Sequence, residues 1–330
     1  FRSMVVNSKE MLEKHLAESV KIVTDFILNP SFPEENFTTH LSKRKERYKI
    51  DIERVEVLSQ KKLAQVLFGS EHPYGRSCRI EDFSSITRND LIQFHADNYI
   101  AENLKIVLCG NLKSNEVKNI IKYLSTLPIK TSNKQRNNKD YQIISDVEHK
   151  HFIAKDNAVQ ASINIGKIMV NRTHKDYVPL QVLNTVLGGY FGSRLMTSVR
   201  EDKGYTYGIG SGIISYENSG YFIITTRVGK DVVQPALEAI YHEINRLRTE
   251  SIPQEELDMV KTYMLSTLVR NFDGALATSE MLRNTFDYNI DFYKYYQQFW
   301  SRIKKVQAKE LQQLANDYLN ENSMYEIIVG

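Results

Sequence analysis

The chain has 330 residues, 42% of them hydrophobic and 25% charged, with 43 Lys and Arg against 40 Asp and Glu for a net charge of +3. That length accommodates two domains of ordinary size, and no apolar run approaches the ~20 residues that span a bilayer. So small a net charge argues against a dedicated nucleic-acid binder, and two cysteines, Cys78 and Cys109, make neither a disulfide framework nor a metal knuckle.

In chain order, residues 1–6 form a short strand candidate. Over 8–29, Leu12, Leu16, Val20, Val23 and Ile27 fall on one helical stripe, with Pro30 beyond its end. A second helix starts at Pro33-Glu34-Glu35, with Pro in the first turn. Its basic run Lys43, Arg44, Lys45, Arg47 and Lys49 is interrupted by Glu46, Asp51 and Glu53, the pattern of a solvated face. The apolar run Leu104 to Cys109 reads as a strand, with Cys109 as a small buried hydrophobe. Residues 129–146, rich in Lys, Asn, Ser and Asp, read as an inter-domain linker.

Tyr177 to Leu187 is almost continuously apolar and predicts a helix buried on most sides. Gly188-Gly189 reads as a helix stop in preference to a phosphate cradle, since neither GxxxxGK[ST] nor GxGxxG occurs. Arg194 and Arg200 each fit the part of a helix C-terminal cation. An alternating strand comes next, with Tyr205, Tyr207, Ile209, Ser211 and Ile213 on one face. Asn218-Ser219-Gly220 turns the chain into a strand over 221–227, and a helix over 230–248 carries Val233, Leu237, Ile240 and Ile244. A further helix and a strand over 324–329 close the chain.

Self-comparison organises these elements. Ser31-Phe32-Pro33-Glu34-Glu35-Asn36-Phe37 reads again as Ser251-Ile252-Pro253-Gln254-Glu255-Glu256-Leu257, shifted by 220. Ile86 and Leu91 recur as Val306 and Leu311 at the same shift, and Gly110 matches Gly330. Tyr99-Ile100-Ala101-Glu102-Asn103 recurs as Tyr318-Leu319-Asn320-Glu321-Asn322, shifted by 219. A spacing held over so long a stretch marks a duplicated unit. Strands mixed with paired helices, without a βαβ rhythm, predict an α+β fold with a mostly antiparallel sheet in each copy. Residues 147–220 have no counterpart before residue 1, so the first unit is expected to lack its N-terminal part, roughly 70 residues.

The block Leu187-Gly188-Gly189-Tyr190-Phe191-Gly192-Ser193-Arg194-Leu195, then Val199-Arg200-Glu201-Asp202-Lys203-Gly204-Tyr205-Thr206-Tyr207, resembles the second-domain signature of the insulinase/pitrilysin-like zinc metallopeptidases. That family includes mitochondrial processing peptidase and bacterial two-subunit relatives. Asn29-Pro30-Ser31-Phe32-Pro33-Glu34-Glu35 and His72-Pro73-Tyr74-Gly75-Arg76 resemble its first-domain landmarks. The resemblance implies the C-terminal part of a first peptidase-like domain over 1–128, the linker over 129–146 and a second such domain over 147–330. By position it makes Arg200 and Tyr207 the pair that binds substrate backbone and stabilises the oxyanion in the zinc-bearing domain. A guanidinium and a phenol suit that task, because both are donors that can be aimed at developing negative charge.

The family's zinc site is HxxEH plus a distant Glu, and no HxxEH occurs in this chain. His149 and His151 are close in sequence, but no carboxylate lies at useful spacing. A gap-free count along the family pattern places Arg47 at the third ligand and His40 at its helper carboxylate; a slip of one residue gives Glu46, a larger gap Glu53. The resemblance therefore implies the non-zinc subunit of a closed two-chain chamber. Zinc would be held by a homologous HxxEH-bearing partner, or in a homodimer, with a peptide as substrate and no nucleic acid or membrane span. Two alternatives stay open: a complete zinc peptidase whose HxxEH segment is missing here, and a non-catalytic structural or peptide-binding subunit. The bacterial relatives imply a soluble protein of the cytoplasm or periplasm, without choosing between them.

Overall fold

A computed structural model describes residues 9–129, 131 and 141–330, with side chains from residue 16 onward. The strand expected over 1–6, the side chain of Leu12 and most of the expected linker lie outside the described residues. In chain order the helices are α1 (Lys9–Leu28), α2 (Glu34–Asp51), α3 (Val55–Phe68), α4 (Asp82–Ser85), α5 (Arg88–Asn98), α6 (Ser114–Ser125) and α7 (Tyr177–Asn184). They continue with α8 (Val233–Thr249), α9 (Gln254–Arg270), α10 (Ala275–Phe286), α11 (Phe292–Lys305) and α12 (Ala308–Tyr318). The strands are β1 (Lys150–Ile153), β2 (Gln160–Met169), β3 (Ile209–Ser215), β4 (Gly220–Gly229) and β5 (Tyr325–Val329). The chain is thus α+β, as its pattern predicts. Among the described residues no helix is long and apolar enough to cross a membrane.

The duplication is visible in these bounds. Shifted by 220, the start of α2 falls on the start of α9, and α5 falls on α12 end to end. The short helical turn Ala101–Asn103 falls on Glu321–Ser323 in the same way. Beyond these two turns the copies diverge. Residues 325–329 form β5, whereas Leu104 to Cys109 form no ladder among the described residues, and Cys109 is exposed instead of buried. An extended run becomes a strand only where a neighbour satisfies its N–H and C=O groups. β5 has β1 on one side and β2 on the other; no described strand lies beside 104–109.

Two compact units form, and their bounds differ from those expected at the linker: residues 1–48 with 79–139, and 49–78 with 140–330. The reason is α3. Its residues Leu63, Val66, Leu67 and Phe68 are buried against Tyr325, Ile327 and Val329 of β5, so a segment expected in the first domain belongs by packing to the second.

The smaller unit is helical in its described residues. A hydrogen bond of 3.0 Å between Thr24 and the Tyr123 hydroxyl joins α1 to α6. Arg88 donates to the Phe32 carbonyl at 2.5 Å, fixing the entry to α2, where Phe32 adopts a φ of 45°. Thr87 and Asp90 form a capping box on α5, and the Thr87 hydrogen bonds hold the Asp90 carboxyl below its ordinary range. Helix α2 buries no residue, as its basic run predicts.

The larger unit carries a five-stranded sheet in the order β1-β5-β2-β4-β3, antiparallel except for the β1–β5 pair. β2 and β4 pair over ten residues each, from Gln160↔Gly229 to Met169↔Gly220. Alternation sends Ile163 and Ile165 to one face, into a core with Leu180, Leu183, Ile240, Ile244 and Leu311 from the helices. Ser162 and Asn164 go to the opposite face under α3, where Ser59 meets both, 2.7 Å from each. Gly166 lies on that face too, because a Cβ there would stand 2.7 Å from the Phe222 carbonyl and 3.1 Å from Leu63.

Candidate functional site

Helix α7 runs buried beneath the sheet, and its last turn opens into a wide, π-helical turn over Thr185–Gly189. Gly188 explains the placement: a Cβ there would stand 2.6 and 2.7 Å from Ser211 Oγ and N and 2.9 Å from Leu195. The bare backbone presses on β3, and Asn184 donates to the Ser211 carbonyl at 3.3 Å. The helical segment does stop at Gly189, as the sequence predicts, but neither glycine adopts the left-handed conformation. They lie inside the last turn, and the chain leaves it at Tyr190 in extended conformation. Gly188→Ala should destabilise the protein by about 1–3 kcal/mol through overpacking. Gly212→Ala, where nothing lies within 4 Å of the added carbon, should change it by less than about 0.5 kcal/mol in the same urea titration.

A tight turn comes next, in which the Ser193 amide donates to the Tyr190 carbonyl at 3.2 Å. Arg194 is not a solvent-facing helix-end cation. It makes two parallel bonds to Glu256 in the first turn of α9, 2.9 and 2.8 Å long, with its side chain 8% exposed. Burial, then the Glu256 charge and the Tyr263 ring, push the Tyr190 phenol above its ordinary pKa. A second wide turn, Met196–Asp202, carries Arg200. Its guanidinium lies 4.9 Å from the centroid of the Phe191 ring and 3.8 Å from the Glu201 carboxylate.

The strand expected from Tyr205 begins only at Ile209. Thr206 is the reason: its hydroxyl donates to the Arg227 carbonyl at 2.7 Å and accepts from the Gly208 amide at 3.1 Å, taking the place of a backbone ladder. The Tyr205 amide returns to the Val199 carbonyl (3.0 Å) and that of Gly204 to the Arg200 carbonyl (3.2 Å). Arg200 therefore lies in a turn closed over 199–205, and Tyr207 comes two residues after it, next to the Thr206 anchor. The Tyr207 side chain stands 92% exposed, and no hydrogen bond to it forms among the described residues. Phe191 and the Arg194–Glu256 clamp carry no sequence signal of their own; the first emerges only once Tyr190 is seen to turn inward, the second joins residues 62 apart.

Metal ligands are not brought together. Among the described residues no three His, Cys, Asp or Glu side chains group as a metal site. His40, Glu46 and Arg47 lie on the exposed surface of α2, and Glu53 is ion-paired with Lys155. His149 stacks on Tyr325 at 4.4 Å, and His151 reaches the Glu148 carbonyl at 2.8 Å. A guanidinium at the expected third-ligand position does not fit zinc, which takes neutral imidazole, thiolate or carboxylate donors.

Comparison with known proteins bears on the same segment. The profile of the Peptidase M16 inactive domain matches residues 85–264, more than half of the chain. The chain belongs to that family. Among curated relatives, "Uncharacterized zinc protease YmxG" of Bacillus subtilis is 24% identical over 83% of this chain and 66% of its own length. "Probable inactive metalloprotease YmfF" of the same organism is 22% identical over 86% of this chain and 67% of its own length. The chain thus spans about two thirds of these relatives. A crystal structure of a peptidase M16 inactive domain from Pseudomonas fluorescens superposes with a TM-score of 0.85, at 22% identity over 97% of this chain and 76% of that one. At that identity the M16 likeness is one of fold.

Proposed function

We propose that this chain is the non-zinc subunit of a two-chain zinc-dependent peptidase. Arg200 and Tyr207 would act on a peptide held at the partner's metal. The observation that supports this most is the Arg200–Tyr207 loop. It is closed by backbone bonds over 199–205, pinned by Thr206, and leaves the Tyr207 phenol in water and the Arg200 side chain 34% exposed. A fold gains little by holding a tyrosine there, whereas an exposed phenol and a half-exposed guanidinium are both donors that a substrate carbonyl could accept from. Zinc hydrolysis belongs, in this reading, to a homologous HxxEH-bearing partner, and no step runs through a metal on this chain. The unit boundary of the ancestral duplication is proposed at residues 129–146, although packing now groups 49–78 with the second unit.

A second reading, a peptide-binding subunit without turnover, is favoured by the word "inactive" in the name of one relative. Zinc content and reconstitution separate the two. The full-length chain, purified alone without chelators, is expected to hold less than about a tenth of an equivalent of zinc, because a complete three-ligand site retains its metal. Mixed with the HxxEH-bearing subunit, it should yield peptide cleavage that neither chain shows alone. Near-stoichiometric zinc in the isolated chain overturns the division of labour, and cleavage by the partner alone removes the role of this chain.

A further inference from the structure

Arg227 of β4 pairs with Ser162 of β2, so its side chain leaves the sheet on the face that α3 covers. An open cavity of about 540 Å³ lies there, between the start of α3 and the stretch from Lys155 to Gln160, with Arg227 in its lining. Charged side chains dominate that lining: Glu53, Arg54 and Glu56 on one side, Lys155 and Asp156 on the other. The ladder sets the place of Arg227. Ile209 pairs with Thr226, which puts Gly208 opposite Arg227, and the Thr206 hydroxyl donates to the Arg227 carbonyl. Arg227 is therefore a cross-strand neighbour of the segment that presents Tyr207.

Most of the charges around the cavity are already matched. Glu53 is ion-paired with Lys155. Arg54 donates twice to one carboxylate oxygen of Glu56, at 2.9 Å from Nε and 2.5 Å from Nη2. Arg227 is the exception. Its Nη1 stands 3.5 Å from that same oxygen, its side chain is 56% exposed, and it makes no hydrogen bond among the described residues. A planar guanidinium with an unspent N–H edge is suited to two parallel bonds with a carboxylate. Asp156 sets a limit on the ligand. The lining has as many carboxylates as cations, so it suits one carboxylate at Arg227 and not a multiply charged phosphate.

We infer that Arg227 and the cavity beside it form a carboxylate site for a peptide that runs past Tyr207, taking its C-terminal carboxylate or an Asp or Glu side chain. The inference rests on the reading of Arg200 and Tyr207 given above and adds a substrate feature to it. Glu56 is the internal competitor, since its carboxylate shares the Arg227 charge that a ligand carboxylate would use.

The test uses the full chain and three N-acetylated peptides of one sequence: the free C-terminal acid, the C-terminal amide, and the amide with one residue changed to Asp, placed in turn along the peptide. Binding is measured by isothermal titration calorimetry, with hydrolysis by the assembled pair tracked in parallel. The acid, the Asp peptide or both should bind about fivefold more tightly than the plain amide, and added salt should shrink the gain. A gain for the acid alone assigns the site to the chain terminus, and a gain for the Asp peptide to a side chain. Arg227→Gln should bring the carboxylate peptides to within about twofold of the amide. Glu56→Gln should act the other way, raising the affinity of the carboxylate peptides about threefold and leaving that of the amide unchanged. A merely structural role for these ion pairs would move all three peptides together. Absent or undetectable preference for a carboxylate in the wild-type chain overturns the site. So does a preference that survives Arg227→Gln with an unchanged melting curve. Binding is read without turnover, so a pair that never cleaves counts against the proposed peptidase role, whereas a missing carboxylate preference counts against the site.

Discussion

Arg200→Ala and Tyr207→Phe each lower peptide turnover by the reconstituted pair by about 10²–10³-fold, the loss expected on removal of one oxyanion donor. The size of the effect comes from where the donors act. If the donors act as proposed, in a closed chamber that excludes water, a guanidinium beside a carbonyl oxygen grows in worth as the oxygen takes on charge, so kcat falls with kcat/KM. Arg200→Lys is not an equivalent replacement. An ammonium supplies a point charge without the planar edge, and it loses the guanidinium's place over the Phe191 ring. Neither substitution is expected to change the zinc content of the pair, since neither side chain is proposed as a ligand. Unaltered turnover in both variants removes this loop from the chemistry.

The second large effect is on stability. Phe68 is 1% exposed at the end of α3, and its ring lies 5.5 Å from His72 and from Tyr74, 5.9 Å from Tyr221 and 6.0 Å from Tyr216. Phe68→Ala removes the centre of that cluster and leaves a cavity that surrounding rings cannot fill without moving. Urea unfolding should report a loss of about 3–5 kcal/mol. Tyr293→Ala, at a residue 82% exposed, should stay within about 0.5 kcal/mol. Equal stabilities of the two variants would mean that α3 is not anchored where the Phe68 contacts place it.

Much of this architecture could be read beforehand, and the failures have physical causes. The held spacing showed which segments recur, because a repeat needs no tertiary information, and the structure adds that α5 and α12 share their bounds at that shift. The signature over 187–207 singled out Arg200 and Tyr207 by position alone; their partners on the loop came from coordinates. The seat of α3 was not legible: Leu63, Val66, Leu67 and Phe68 came to notice only in the structure, packed against β5. Leu104 to Cys109 failed because an apolar alternation describes a strand's faces and not its edges. The Ser59–Ser162–Asn164 cluster had no signal at all, because a polar residue in a strand reads as a solvent-facing one until a helix is found lying over it.

The seating of α3 also governs how the protein can be divided. Cutting at the low-complexity stretch before residue 147 respects the repeat but strips one face of the sheet: Tyr325, Ile327 and Val329 would meet water, and Asn164 would lose its Ser59 partner. Such a fragment presents an apolar sheet surface of the kind that drives self-association. An independently folding piece must instead retain residues 49–78 together with 140–330, which are discontinuous in the chain. A single polypeptide of that piece therefore needs an added linker between its two segments, and it keeps the donor loop.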